Sequence, residues 1–325
     1  MTDHDDSLDG LSLDAAVDDV VARTGDDPDA VRTALKRVTE EGTVRREAVD
    51  DALAHVSKVV STPETRVENA GMLIDDAREA AAAVDHLDSV AERLDDFERR
   101  HAAVTSRVDD LGDRLQSVVD LANESGAIYE TAVETRRLHA AANSAQHTAD
   151  ELGVDAEEFE AWVRNPDRRL DALDDDVDAV ADVVDAVART LDALTAGDVG
   201  ADVEPATVRF DAALRHRVSR LLLDDLRAEV DDLRDWPDPG PDDAHGAVDA
   251  EGLAALDGRL TNLEDRWRSI DDRSDEGSAG WRDRYGDRMT DFEAALDDHA
   301  PPVDWRAVES LLGEYRPETA DAASA

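Results

Sequence analysis

The chain has no cysteine and only two lysines, Lys36 and Lys58, among its 325 residues. Without cysteine there is no disulfide, no thiolate nucleophile and no thiolate metal centre. Long apolar runs are missing as well, and no segment approaches the roughly 20 apolar residues that a membrane span needs. The opening "MTDHDDSLDG" carries neither a basic region nor an apolar stretch, so the expectation is a soluble, cytoplasmic protein with no membrane association. No glycine-rich phosphate loop, "GxSxG", "HExxH" or dinucleotide fingerprint occurs. The chain is therefore expected not to be an enzyme, and no motif implies a cofactor or a metal. Aromatic residues are sparse, at 4% of the sequence. Most of them fall after residue 200, which leaves the carboxyl third as the part able to build an aromatic core or a binding surface.

Negative charge is what the chain has in excess. Asp and Glu number 81 against 35 Lys and Arg, a formal charge of -46. In ordinary buffer that charge opposes compaction. Salt weakens the repulsion, because the Debye length shrinks from about 10 Å at 0.1 M to about 3 Å at 1 M. The composition thus fits a halophilic cytosol. It also makes paired carboxylates meaningless as a sign of catalysis here.

Hydrophobic residues, 41% of the chain, recur at helical spacing throughout. Residues 12–60 read as a small domain of three short helices. Ser12 caps "LDAAVDDVVAR", Asp27 and Pro28 open "DAVRTALKRVTEE", Gly42 closes it, and "REAVDDALAHVSKVV" follows. Thr62 and Pro63 read as the cap and first residue of a new helix. From Leu87 to Val118 apolar residues alternate spacings of three and four, with His101 among them, and after "NESGA" small residues continue the pattern from Ile128 to Leu152. Asn165 and Pro166 then open "LDALDDDVDAVADVVDAVARTLDAL". A helix over 87–118 spans about 45 to 50 Å, so the expected architecture is all-α: an elongated antiparallel helical bundle or coiled coil over residues 61–200, preceded by the small N-terminal three-helix domain. An aromatic-rich helical unit is expected over 201–316, interrupted by a Pro- and Gly-rich linker at 235–248. Residues 1–11 and 317–325 read as disordered tails.

Several residues stand out as candidates. His101 is a polar residue in an apolar seam, a pattern that fixes register at some cost in stability, so a leucine there is expected to stabilise while loosening specificity. Trp267, Trp281, Tyr285 and Trp305, with Trp236, are the candidate anchors for a protein partner, since Trp and Tyr are favoured at interface centres. Arg32, Lys36, Arg37, Arg45 and Arg46 make the one clearly basic window. The helix, glycine and arginines there resemble the end of a winged-helix recognition element, although "EAVDDALAHV" reads as helix where the wing hairpin belongs. A chain at -46 is repelled by DNA phosphates unless salt intervenes, and arginines that close a helix end are the plainer explanation. A calcium-loop reading around Gly42 fails, because Arg37, Thr39 and Ala48 fall where oxygen ligands are needed. His139, Asn143, His147 and Glu151 share one helical face, but the two histidines are two turns apart, and a solvated stripe is expected instead of a metal site.

The stretches "LSLDAAVDDVVARTGDDPDAVRTALKRV", "VVSTPETRVENA" and "WVRNPDRRLDAL" resemble the haloarchaeal "halo transducer protein" family, over most of residues 8 to 196. The resemblance implies a helical fold and an association with signalling, and it carries over no catalytic or binding residue. The sequence departs from chemotaxis transducers in lacking their hairpin tip, membrane spans and linker module. The functional expectation is a non-enzymatic helical interaction or scaffold protein with an unidentified protein partner, able to form a homo-oligomer through its coiled coil. The alternative is a DNA-binding or transcription-associated protein that uses residues 12–60.

Overall fold

The computed structural model describes residues 8–124, 126–198, 204–236, 249–274 and 279–317. The fold is all-α: among the described residues, ten α-helices carry the chain and the only sheet has two very short strands. Two compact units are present, residues 1–79 with 94–160, and residues 80–93 with 161–325.

In the first unit, α1 (Leu13–Thr24) is capped by Ser12, whose hydroxyl accepts from the Ala15 amide, and Gly25 ends it in the left-handed region. Asp27 caps α2 (Pro28–Leu35) by accepting from the amides of Asp29 and Ala30. Gly42 does not close that helix, as the sequence suggested. A 3-10 turn over Lys36–Val38 instead leads into β1 (Thr39–Glu40) and β2 (Thr43–Val44), which pair antiparallel. Glu41 and Gly42 both have positive φ, the requirement of a two-residue hairpin turn whose twist matches its strands. A hairpin is thus present, ahead of the helix where the sequence reading looked for it, and Ser12 bridges to Thr43 on its second strand.

Next comes α3 (Arg46–Ala81), with Pro63 inside it. Thr62 and Pro63 therefore do not start a helix, and the boundary expected at residue 60 falls inside α3. An interior proline costs about 3 kcal/mol. Against that, Val56, Val60, Val67, Ala70, Ile74 and Ala77 bury one continuous face on either side of it, and each buried valine or isoleucine side chain contributes about 1.5 to 3 kcal/mol. The seam wins over the local signal. The helix begins on a distant cap, where the Asp9 carboxylate accepts from the Arg46 amide at 3.0 Å. Leu8 is buried in the same core and the Gly10 amide donates to the Val44 carbonyl, so residues 8–11 are not a disordered tail. The remainder of that tail, the linker residues 237–248 and residues 318–325 lie outside the described residues.

The break at "NESGA" is where expected, between α4 (Asp88–Ala122) and α5 (Ile128–Arg164). Within the first unit Arg78 of α3 pairs with Glu98 of α4 and Val67 faces His101, while Phe97 and Arg100 of α4 meet Phe159 and Asp155 of α5. In these pairs the contacts advance along one helix as they recede along the other, so α4 runs opposite to both neighbours.

The second unit holds α6 (Pro166–Ala196), α7 (Pro205–Arg234), α8 (Ala250–Ser274), α9 (Ala279–Leu296) and α10 (Trp305–Tyr315). Asn165 caps α6 by accepting from the Asp167 and Arg168 amides. The α6 seam, Leu173, Val177, Val180, Val184, Val187 and Leu191, is buried, and α6 packs on α7 and α8. It therefore belongs with the carboxyl-terminal helices, not with those of residues 87–152. Arginines tie the helices together: Arg227 of α7 reaches Asp257 and Glu264 of α8, and Arg259 of α8 reaches Asp174 and Asp178 of α6. One of them is fully buried. Arg169 donates to the carbonyls of Trp162 and Val163 at the end of α5, with its guanidinium 4.1 Å over the Trp236 ring. Burial pushes its pKa down to about 10.

Candidate functional site

The aromatic anchors expected from sequence are placed very differently from one another. Trp281 and Tyr285, at 7% and 8% exposure, are packed in a core with Phe210, Phe292 and Met289. Tyr285 stacks on Phe210 at 4.5 Å. Their apolar surface is already used inside the unit, so they are not exposed anchors. Trp236 is buried under Arg169 in the same way. Trp267 is half-buried, stacks on His216 at 4.4 Å and donates to the His216 carbonyl. Trp305 is half-buried too, and it lines a groove.

That groove, a cavity of about 530 Å³ within the second unit, is walled by α4's first turns, α6, α7 and the entry to α10. Its apolar walls include Val180, Val183, Leu222, Leu226, Pro302 and the Trp305 ring. Its polar side comes from a stripe on α7, Asp225, Glu229 and Asp232, spaced four and three residues apart so that all three share a face. Asp225 fixes the start of α10 by accepting from the Val303 amide at 3.1 Å and from Trp305 Nε1 at 2.7 Å. Asp232 accepts from the Ser89 amide at 2.7 Å, in the first turn of α4. Glu229 is held by Arg93 Nη2 at 2.8 Å, and the Arg93 guanidinium lies 4.4 Å over the Trp162 ring.

Burial raises the pKa of Glu229 and of Asp225 above the ordinary carboxylate range, against the opposing pull of Arg93 on the first and of the Trp305 donor on the second. Asp176, across the groove on α6, is raised for the same first reason. Among the lining residues Arg93 is the one cation facing these carboxylates. Desolvated carboxylates in excess over cations favour a positively charged neighbour. The groove is shaped to take an apolar body and a basic group together. Sequence reasoning missed Arg93, Asp225 and Glu229, since an acidic stripe on one helix carries no signal in a chain with acids on every face.

The basic window is divided by the structure. Arg32 pairs with Asp14 at 2.6 Å, and Arg46 donates to the carbonyls of Ala122 and Glu124 at the end of α4. Both are thereby committed to internal contacts. Lys36, Arg37 and Arg45 are exposed on the 3-10 turn and beside the hairpin. His101 sits in the seam as expected, with Nε2 3.1 Å from the Val67 carbonyl. It lies against Gly71, where a Cβ would come within 3.0 Å of the same nitrogen. His139 is not part of a solvated stripe: it is half-buried and stacks on His55 at 5.7 Å, and burial, with Arg37 and His55 nearby, lowers its pKa. His147 does remain exposed, 3.2 Å from Glu151. Among the described residues no group of histidines and carboxylates converges as a metal site requires, and no helix is long and apolar enough to cross a membrane.

Compared with known proteins, the chain matches no family model, no curated protein and no solved structure.

Proposed function

We propose that this is a non-enzymatic interaction protein of a halophilic cytosol, built as an elongated antiparallel helical bundle behind a small N-terminal domain, with signalling as its setting by family resemblance. The observation that carries the reading is the Trp305 groove, which presents apolar walls, a half-exposed indole and a surplus of desolvated carboxylates. Its partner is a protein segment that places aliphatic side chains against Val183 and Leu222 and a lysine or arginine against the α7 carboxylates. The test uses the full chain in molar potassium chloride: a captured protein is purified, rebound to wild type, and compared with the Leu222→Glu variant. Leu222 is only partly buried, so the variant is expected to fold and to lose binding at least tenfold. Equal binding by Leu222→Glu, with unchanged helical circular dichroism, would reject the groove as the contact.

A second reading rests on the hairpin that follows α2, together with the exposed Lys36, Arg37 and Arg45: a DNA-binding N-terminal domain of winged-helix type. Asp27 and Asp29 at the start of α2 and Glu40 and Glu41 at the hairpin tip oppose it, since each would face phosphate. Retention of duplex DNA by the full chain, lost on neutralising Lys36, Arg37 and Arg45 together, would favour this reading over the first.

A further inference from the structure

Three basic side chains of the first unit, Arg37, His55 and His139, meet where the 3-10 turn, α3 and α5 approach one another. His139 is half-buried, and its Nδ1 is enclosed without a hydrogen-bond partner. The ring of His55, on α3, lies against it at a centroid distance of 5.7 Å with 24° between the planes. Arg37 is exposed, and its guanidinium makes no ion pair or hydrogen bond among the described residues. Arg32 and Arg46, by contrast, are spent on Asp14 and on the end of α4. Unmade hydrogen bonds continue behind the His139 ring. Thr135 and Thr131, four and eight residues earlier and so on the same face of α5, are 2% and 1% exposed, with hydroxyls that have no partner. Buried polar groups are paired as a rule, so a run of them on one face calls for a ligand or ordered water.

The charge around this ring is the reverse of the chain's. Burial is the first reason for the lowered pKa of His139, Arg37 and His55 are the others, and no carboxylate opposes them. Glu134, on the same helix, is occupied by Arg137 at 2.6 Å, and Asp51, one turn before His55 on α3, is exposed to solvent. In a sequence with 81 acidic and 35 basic residues, basic side chains grouped without a carboxylate run against the composition. What the group lacks is an acceptor. The planar fork of an arginine matches the oxygens of phosphate, and rings 5.7 Å apart can each reach a different oxygen of one tetrahedral anion. A dianion with several oxygens makes more charge-assisted hydrogen bonds there than chloride does.

We infer that Arg37, His55 and His139 form a binding site for a phosphate dianion. Its oxygens accept from the Arg37 guanidinium and from the imidazoles, and the arriving charge draws a proton onto His139. The site does not depend on the Trp305 groove or on the partner proposed for it. It shares Arg37 with the DNA reading, and the experiment separates the two. The full chain in molar potassium chloride, at about pH 7.5 where phosphate is largely a dianion, is titrated with inorganic phosphate at constant ionic strength. Imidazole Cε1–H resonances are followed by NMR, that of His139 being identified by its loss in His139→Gln. The resonance is expected to move downfield and saturably, with a low-millimolar dissociation constant, and the midpoint of its own pH titration is expected to rise in saturating phosphate. Arg37→Gln and His55→Gln, both at exposed positions, should each weaken binding about tenfold, as expected when a charge-assisted hydrogen bond is lost. Arg45→Gln removes the same charge from beside the hairpin, where molar salt screens it from the anion, and should change the affinity by less than about twofold. The inference is overturned by a resonance that phosphate does not move, by equal weakening in Arg37→Gln and Arg45→Gln, or by a response to a short DNA duplex without any response to inorganic phosphate.

Discussion

The two units bury different kinds of interior. Among the described residues, the fully buried polar side chains of the first are the hydroxyls of Thr131 and Thr135, set among valines, alanines and leucines; in the second they are Arg169, His216 and Ser219, joined by the mostly buried Glu229. An aliphatic interior is held by burial alone, which is non-directional and indifferent to pH. An interior with guanidinium, imidazole and carboxylate groups depends on each finding its partner, and it changes with protonation. The Trp305 groove is in the second unit.

The largest expected effect is on the whole chain. Dialysis to about 10 mM salt, where the Debye length reaches about 30 Å, is expected to unfold it. All five tryptophans fall in the second unit, so their emission follows that unit alone, while helical circular dichroism follows both. The dichroism is expected to fall first as potassium chloride is withdrawn, since α7 and α8 are bridged by arginines whose attraction strengthens as screening fades. Coincident curves would mean that the two units melt as one, and full helicity at low salt would remove the halophilic reading.

Next in size is a pair of arginines that each close a helix end. Arg169→Met should cost about 3 kcal/mol, because two charge-assisted hydrogen bonds and a desolvated cation–π contact are lost. Arg46→Met in the first unit should cost about 1 kcal/mol, since its side chain is partly solvated. Denaturant melts in molar salt measure both. Equal losses would mean that the burial of Arg169 brings no added dependence on its partners.

Acid should separate the interiors further. Burial lowers the His216 pKa to about 4 from 6.5, so between those values the unfolded chain binds the extra proton and the folded chain does not. The imidazole's contribution is therefore complete above pH 6.5 and is lost as pH falls toward 4, by at most about 3 kcal/mol. Glu229 and Asp225, with raised pKa values, act with the opposite sign. The comparison of wild type with His216→Gln isolates the imidazole: the variant should show a shallower loss of stability across that window, read by tryptophan emission. Parallel profiles would contradict the assignment.

The smallest effect is expected at His101. From the seam alone, leucine there should stabilise, but the hydrogen bond to the Val67 carbonyl and the close fit against Gly71 reverse that expectation. His101→Leu should lower stability by about 1 kcal/mol and permit a change of mass by light scattering in molar salt. A raised melting temperature would show that the imidazole is held no better than an apolar residue.

Much of the helix punctuation was legible because it is local. Ser12, Asp27 and Asn165 cap the helices they were expected to cap, since each such bond closes within a few residues along the chain. The all-α class followed from apolar spacing in the same way. The passage of α3 through Pro63 was decided elsewhere, by apolar residues that find partners on other helices. So was the hairpin, whose second strand is held by Ser12 some thirty residues earlier.

The candidate sites were less legible for the same physical reason. Sequence composition alone determined the charge of -46, and that the chain's chemistry must do without thiols. Which aromatic residues stay open, which arginines are consumed as caps, and which carboxylates lose their water are properties of packing between distant segments. Trp281 and Trp305 are the same residue type 24 positions apart, yet one is enclosed by Phe210 and Met289 while the other is tied to Asp225 at the edge of a groove. Only the tertiary structure decides between them, because burial depends on what the rest of the chain brings to the same place.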